Sequence, residues 1–182
     1  NHNFANYTFD MVLTNPPFGG ESVNLVARNH LVDDYDMAEQ EDKNGKKKPR
    51  KSQKPEILFI ERVWHFLKSG TGEAAIILPD GILSNSTTQY VRDWIIDHFQ
   101  IKAVVSLPQY AFAYFGAGVK ASILFLRKRA EKEQPNPDEP IFMASPQHIG
   151  YDATGRKTKQ NDFHQIAELY RQFQKDHQPF FQ

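Results

Sequence analysis

Cysteine is absent from the 182-residue chain, which excludes a disulfide framework and thiolate metal sites and fits a reducing, cytoplasmic setting. Net charge is lacking too. With 22 Lys and Arg against 22 Asp and Glu, no global positive field exists, so any nucleic-acid binding must come from local clustering. No apolar run approaches the roughly 20 residues of a membrane span, so no membrane role is expected. The opening residues, Asn1-His2-Asn3-Phe4-Ala5-Asn6, have neither the basic start nor the apolar middle of a signal peptide. A chain that begins in this way and then enters a strand reads as a piece cut from a longer protein. The seven histidines show no HxxxH or HxH spacing, so packing and surface roles are expected of them, not metal ligation.

What is present alternates between strand-like and helix-like segments. Residues 9–13 are short, apolar and bounded by Asn15-Pro16-Pro17, which reads as a buried strand. Residues 39–54 contain no large apolar side chain and include Lys43, Lys46, Lys47, Lys48, Arg50, Lys51 and Lys54; an exposed, mobile basic loop is expected over 43–54. Ile57, Ile60, Val63, Trp64 and Leu67 recur at helical spacing, with Gly70 and Gly72 as stops. A strand over 74–78 ends at Pro79-Asp80-Gly81, and Asn85 or Ser86 is placed to cap a helix reaching His98. Strands over 101–107 and 121–126 flank an aromatic, glycine-containing link without helical repeat, so antiparallel pairing of the two is expected. A proline- and charge-rich linker over 131–140 precedes a short strand at 141–144 and a helix from about 163 to 173. The pattern implies an α/β fold, its sheet mostly parallel and closed by one antiparallel element.

The segment Asn15-Pro16-Pro17-Phe18 lies at the carboxyl end of the first strand, where open α/β sheets bind ligands. Consecutive prolines make a stiff turn and remove backbone donors, leaving an acceptor surface. The Asn15 side-chain carbonyl and the Pro16 backbone carbonyl can together accept both protons of one amino group and orient its lone pair. Phe18 offers a flat face for a planar ring. The constellation suits an exocyclic amine on an aromatic base, although Asn-Pro-Pro is also a plain loop punctuator.

The run from Asp10 to Gly20, with Thr14-Asn15-Pro16-Pro17-Phe18-Gly19-Gly20 at its centre, resembles the catalytic motif of S-adenosylmethionine-dependent amino-methyltransferases in their adenine-N6 DNA form. The segments from Glu56 to Arg62, Ala75 to Leu83 and Gly118 to Leu126 narrow the resemblance to the modification subunit of type I restriction-modification systems, and His148-Ile149-Gly150-Tyr151-Asp152 is similar to that subunit as well. The resemblance implies methyl transfer to adenine N6 in duplex DNA, with Asn15, Pro16 and Pro17 forming the acceptor turn and Phe18 stacking on a flipped base. Tyr114 or Phe115 is then the candidate second aromatic wall, against a plain hairpin role. Asp80 reads as a turn former.

The resemblance further implies half of a Rossmann-like methyltransferase sheet, with residues 1–130 as the C-terminal half of the catalytic domain and 131–182 appended to it. Such enzymes carry a glycine-rich cofactor loop and an acidic ribose-binding residue before the catalytic strand. The chain has neither; Gly116-Ala117-Gly118 lies late and precedes a strand. Weak S-adenosylmethionine binding by this piece alone is therefore expected. Lys46, Lys47, Lys48, Arg50 and Lys51 are candidate phosphate contacts, weighed against a solvated charge run and partly offset by Glu39, Glu41 and Asp42. The resemblance assigns sequence reading to a separate specificity subunit and names a restriction subunit as a further partner. Three alternatives stay open: an RNA guanine-N2 methyltransferase, a protein glutamine methyltransferase, and a non-catalytic fragment that only docks with other subunits.

Overall fold

The computed structural model describes residues 7–17, 20–28 and 30–181. In chain order the strands are β1 (Met11–Thr14), β2 (Val23–Asn24), β3 (Glu39–Glu41), β4 (Lys47–Pro49), β5 (Ser52–Gln53), β6 (Glu73–Pro79), β7 (Phe99–Ser106), β8 (Ala121–Lys128), β9 (Phe142–Ala144), β10 (Ile149–Tyr151) and β11 (Lys157–Asn161). The helices are α1 (His30–Asp34), α2 (Pro55–Phe66), α3 (Asp80–Ser84), α4 (Gln89–His98) and α5 (Phe163–Asp176).

Five strands form the central sheet in the order β1-β6-β8-β7-β9. β1 runs parallel to β6 and β9 parallel to β7, whereas β8 is antiparallel to both neighbours. The expected α/β class and antiparallel β7–β8 pairing are therefore present. The link between β7 and β8 nevertheless does more than make a hairpin, because it returns β8 into the middle of the sheet, between β6 and β7. β9 extends the same sheet beyond β7.

Alternation along the strands sorts the two faces. Ala74, Ile76 and Leu78 of β6 and Leu124 and Leu126 of β8 are buried on one face, against Ile57, Ile60 and Val63 of α2 and Val91 and Ile95 of α4. α2 starts at Pro55, whose missing N–H costs nothing at the first helical position, with Glu56 in the positive first turn. It ends where Leu67 turns extended, and Gly70 takes the left-handed conformation just beyond. On the other face α5 brings Tyr170 and Phe173 onto Phe142 of β9, at ring separations of 5.3 and 5.4 Å.

Three expectations need correction. The first strand is not buried: it is an edge strand whose Met11 and Leu13 are 58% and 72% exposed, because α5 leaves an open groove of about 240 Å³ between Tyr170 and these residues. The basic stretch is not a structureless loop. Glu39–Glu41 pairs antiparallel with Lys47–Pro49, and Val23–Asn24 with Ser52–Gln53; the tip is held by Asp42, whose carboxylate accepts from the N–H groups of Asn44 and Lys46. The polar segment before it contributes apolar anchors, Leu25, Tyr35 and Ala38, which bury themselves against Leu58 of α2. Finally, neither Asn85 nor Ser86 caps α4. Asp80 opens a short helix instead, and the Thr88 hydroxyl ties its carbonyls at Gly81 and Ile82 to that of Asn85.

Candidate functional site

The carboxyl edge of the sheet collects the chemistry-bearing residues. β1 is held in register with β6 from Met11↔Glu73 to Thr14↔Ile76 and clamped at its start: the Phe9 N–H donates to the Phe66 carbonyl at 2.7 Å, and the Lys68 N–H to the Phe9 carbonyl at 3.0 Å. This pairing fixes where Asn15 leaves the sheet. Asn15 is exposed, Pro16 is buried and Pro17 is exposed, so the turn is anchored through one ring and presents the amide to solvent. The Asn15 side chain makes no hydrogen bond to another described residue. Phe18 lies outside the described residues.

Beyond β1 the same edge carries a row of polar groups at the ends of β6, β8 and β7. The Ser122 hydroxyl donates to Asp80 Oδ1 at 2.7 Å, and the Asp80 N–H to the Lys120 carbonyl at 2.9 Å. The Lys120 ammonium donates to the Ser106 hydroxyl at 2.7 Å and to the Leu107 carbonyl. Asp80 is thus more than a turn former: its carboxylate stitches β6 to β8 beside the Asn-Pro-Pro turn. Sequence reasoning missed Ser106, Lys120 and Ser122, although a Lys-x-Ser step at the head of an otherwise apolar strand was a legible signal.

The aromatic link emerges at this edge. Tyr114 and Phe115 are 62% and 70% exposed and meet edge to face at 5.3 Å. The strand that follows them, β8, is two strand spacings from β1, roughly 10 Å, so the acceptor turn and the aromatic pair share one rim of the sheet. The carrying loop is closed by Gln109, whose side-chain N–H donates to the Gly118 carbonyl at 3.1 Å. Gly116, at φ +79°, turns the chain after the pair without Cβ strain.

The basic candidates divide. Lys46, Lys47, Lys48 and Lys51 are exposed, and Lys47 sits 3.6 Å from Glu39. Arg50 is committed to the fold: its Nε donates to the Glu39 carbonyl at 2.8 Å and its guanidinium lies 4.1 Å from the centre of the Tyr90 ring. Beneath this insertion Glu61, only 2% exposed, accepts the N–H groups of Asp36 and Met37 at 2.6 and 3.0 Å. Burial pushes its carboxyl pKa up against the lowering effect of those two donors. Glu61 therefore roots the insertion on α2; it was not singled out from the sequence because a lone acid on a helix usually faces solvent.

No group of three or more His, Cys, Asp or Glu side chains among the described residues is arranged to hold a metal ion. Nor is any helix among them long and apolar enough to cross a membrane. The strand-to-helix turn after β6 is Pro79-Asp80-Gly81, with the Asp80 carboxylate already engaged, so it is not a glycine-rich cradle for an adenosyl cofactor.

Comparison with known proteins gives a consistent picture. The family model for N-6 DNA methylases matches residues 1–181. Among curated proteins, the chain is similar to the methylase subunit of the type I restriction enzyme EcoEI of Escherichia coli, 28% identical over 120 residues, which cover 65% of this chain and 21% of that protein. A chain in a solved type I restriction-modification system superposes with a TM-score of 0.66 at 24% identity, over 96% of this chain and 32% of that one. A Listeria monocytogenes protein provisionally named a class I S-adenosylmethionine-dependent methyltransferase superposes at 0.63 and 18% identity, over 99% of this chain and 45% of that one. The chain thus spans about a fifth of the curated relative's length.

Proposed function

Because the chain belongs to the N-6 DNA methylase family, we propose that it is the acceptor half of the catalytic domain in a type I modification subunit, directing methyl transfer to the N6 amino group of adenine in duplex DNA. One observation carries the reading: an exposed Asn15, whose side chain makes no hydrogen bond to another described residue, leads into a buried Pro16 at the carboxyl end of a registered strand. In this role the Asn15 side-chain carbonyl and the Pro16 backbone carbonyl accept the two amino protons. Both acceptors are neutral, and burial of the Pro16 ring sets its backbone carbonyl before the base arrives, which limits the reorganisation needed when the lone pair turns out of the ring. Phe18 stacks on the extruded base, and Tyr114 or Phe115 supplies the second wall. Extrusion exposes the base at a rim that already carries aromatic surface, which offsets part of the unstacking cost of a few kcal/mol.

S-adenosylmethionine is the methyl donor in this proposal and supplies an electrophilic methyl on a cationic sulfur. Its binding loop is assigned to residues outside this chain, since neither the sequence nor the turn after β6 provides a glycine-rich cradle. Weak binding of the donor by this piece alone follows. The exposed lysines Lys46, Lys47, Lys48 and Lys51 contact DNA phosphates, while Arg50 is reassigned to supporting their hairpin. Specificity and restriction subunits are the further partners, in the cytoplasm.

The test is methyl transfer to duplex DNA by the full-length protein in its complex. Asn15→Ala should lower the single-turnover rate by about two to three orders of magnitude, the usual consequence of deleting one pre-placed polar group at a reacting centre. Undiminished transfer by the variant would refute the assignment. Transfer to RNA alone would favour guanine-N2 chemistry, transfer to protein alone the glutamine enzyme, and transfer to none of these a docking role.

A further inference from the structure

Beside the aromatic link stands the β10–β11 hairpin. It is rooted by a small cluster in which Leu107, Ala111 and Ile149 are buried together, with Tyr110, Phe112 and Tyr151 packed around them. Two hydroxyls fasten it: Tyr110 donates to the Gln147 carbonyl at 2.9 Å, and Tyr151 to the Ala111 carbonyl at 2.8 Å. The tip is equally constrained. Asp152 Oδ1 accepts from the Thr154 N–H, the Thr154 hydroxyl and the Arg156 N–H at 2.8, 2.7 and 3.1 Å. Gly155, at φ +79°, then lies against the ring of Tyr114 so closely that a Cβ there would be 2.6 to 2.9 Å from the ring carbons. The hairpin tip is therefore a seat for one of the two exposed aromatics.

The same hairpin carries more positive than negative side chains. Arg156, Lys157 and Lys159 are exposed, and none lies within ion-pair distance of a described acid; by contrast, Lys102, Arg127 and Arg129 are matched by Glu73, Glu133 and Glu139. Of the two nearby acids, Asp152 lies within the tip, where the Thr154 hydroxyl and then the charge of Arg156 help hold its carboxyl pKa down, and Asp162 accepts the N–H groups of Gln147 and His148, with the His148 ring at 3.5 Å. Lys157 is paired opposite Tyr151, and the register of the hairpin shifts between this pair and Ile149↔Asn161, so the segment carrying Lys157 and Lys159 is bulged and exposed along its whole length.

We propose that the β10–β11 hairpin is a second DNA-backbone contact, separate from the Lys46–Lys51 region, in which Arg156, Lys157 and Lys159 hold phosphates flanking the base that stacks on Tyr114 and Phe115. Gly155 is a positioning residue in it, setting the height of the Tyr114 ring against the phosphate-binding side chains. The proposal rests on the DNA-methylation reading. Its contribution is sequence-independent and salt-sensitive, because lysine and arginine at phosphates act by releasing counterions.

The test uses the full-length protein in its complex and fluorescein-labelled duplexes of two unrelated sequences, titrated across a salt series. Replacing Arg156, Lys157 and Lys159 together by glutamine should flatten the slope of log Kd against log salt by about 2 to 3 units. Raising salt from about 50 to 200 mM then weakens the unsubstituted protein roughly 40-fold more than the variant. The change should be the same on both duplexes. The Lys157→Glu/Lys159→Glu variant should weaken low-salt binding further, with unchanged thermal melting showing that the exposed positions tolerate substitution. Parallel salt slopes would overturn the proposal, as would loss of a protein subunit from the variant complex with the slope retained, which would make this face a protein dock. Asn15→Ala, assayed in parallel, separates the two levels. If it abolishes methyl transfer while the hairpin slopes stay parallel, only the hairpin role fails; if it leaves transfer intact, the catalytic reading beneath fails.

Discussion

The contact between Gly155 and Tyr114 yields a prediction whose parts can be separated. A Gly155→Ala substitution does two things: it places an L side chain at φ +79° and it drives a methyl to within 2.6 to 2.9 Å of the Tyr114 ring carbons. The first effect costs about 1–2 kcal/mol, the usual penalty for a left-handed alanine. The second forces the ring to move by roughly 1 Å to regain ordinary contact distance. Because Tyr114 is largely exposed, the displacement itself adds only about 0.5–1 kcal/mol. Gly45 supplies the control, since it has φ +74° and nothing within 4 Å of its added Cβ; Gly45→Ala should show the backbone strain alone. In thermal melts, at about 2–4 °C per kcal/mol for a chain of this size, Gly155→Ala should fall below Gly45→Ala by a few degrees. A cycle with Tyr114→Ala closes the argument: in that background Gly155→Ala should cost no more than Gly45→Ala, a coupling of about 0.5–1 kcal/mol. A coupling within about 0.3 kcal/mol of zero would refute the seat, and with it the positional link between hairpin and aromatic pair.

Two further outcomes concern stability. Glu133 is held near pKa 2, from an ordinary 4.5, first by hydrogen bonds from Arg127, against the opposing effect of burial, and then by the Ala130 N–H and the charges of Arg127 and Arg129. A lowered carboxylate contributes stability that is complete above about pH 4.5 and lost as pH falls toward 2. The whole shift corresponds to roughly 3 kcal/mol, reduced by screening at this partly exposed pair to about 1–2 kcal/mol; urea midpoints of Glu133→Gln should therefore trail the unsubstituted protein at pH 7 and converge with it near pH 2–3. Ile60, fully buried on α2 against the sheet, should lose about 2–5 kcal/mol on truncation to alanine, read as a lower denaturation midpoint.

The elements themselves were largely legible. α2 and the strands β6, β7 and β8 follow from apolar periodicity and from glycine or proline punctuation, because local spacing and backbone sterics act on neighbouring residues alone. Asn15-Pro16-Pro17 was legible for the same reason: a stiff turn with two acceptors is a property of three adjacent residues. The resemblance to N6 methyltransferases rested on that motif and three short segments, and the family match over residues 1–181 agrees with it.

Register and partner choice were decided by tertiary packing. Nothing in the residues of β8 announces that it returns between β6 and β7, since strand order depends on which apolar faces meet across many intervening residues. The exposure of Met11 and Leu13 follows from the edge position of β1, not from their hydrophobicity. The basic stretch looked featureless because its order is borrowed: Glu61, Leu58 and Tyr90 hold it from outside, through contacts that no local pattern encodes. Asp80 meets Ser122 across 42 residues, and Gly155 meets Tyr114 across a similar gap. By itself, then, the sequence determined a stiff turn and the acceptor groups it carries. Only the folded sheet, by closing long loops against their entropy with buried apolar surface, decided which distant side chains stand beside it.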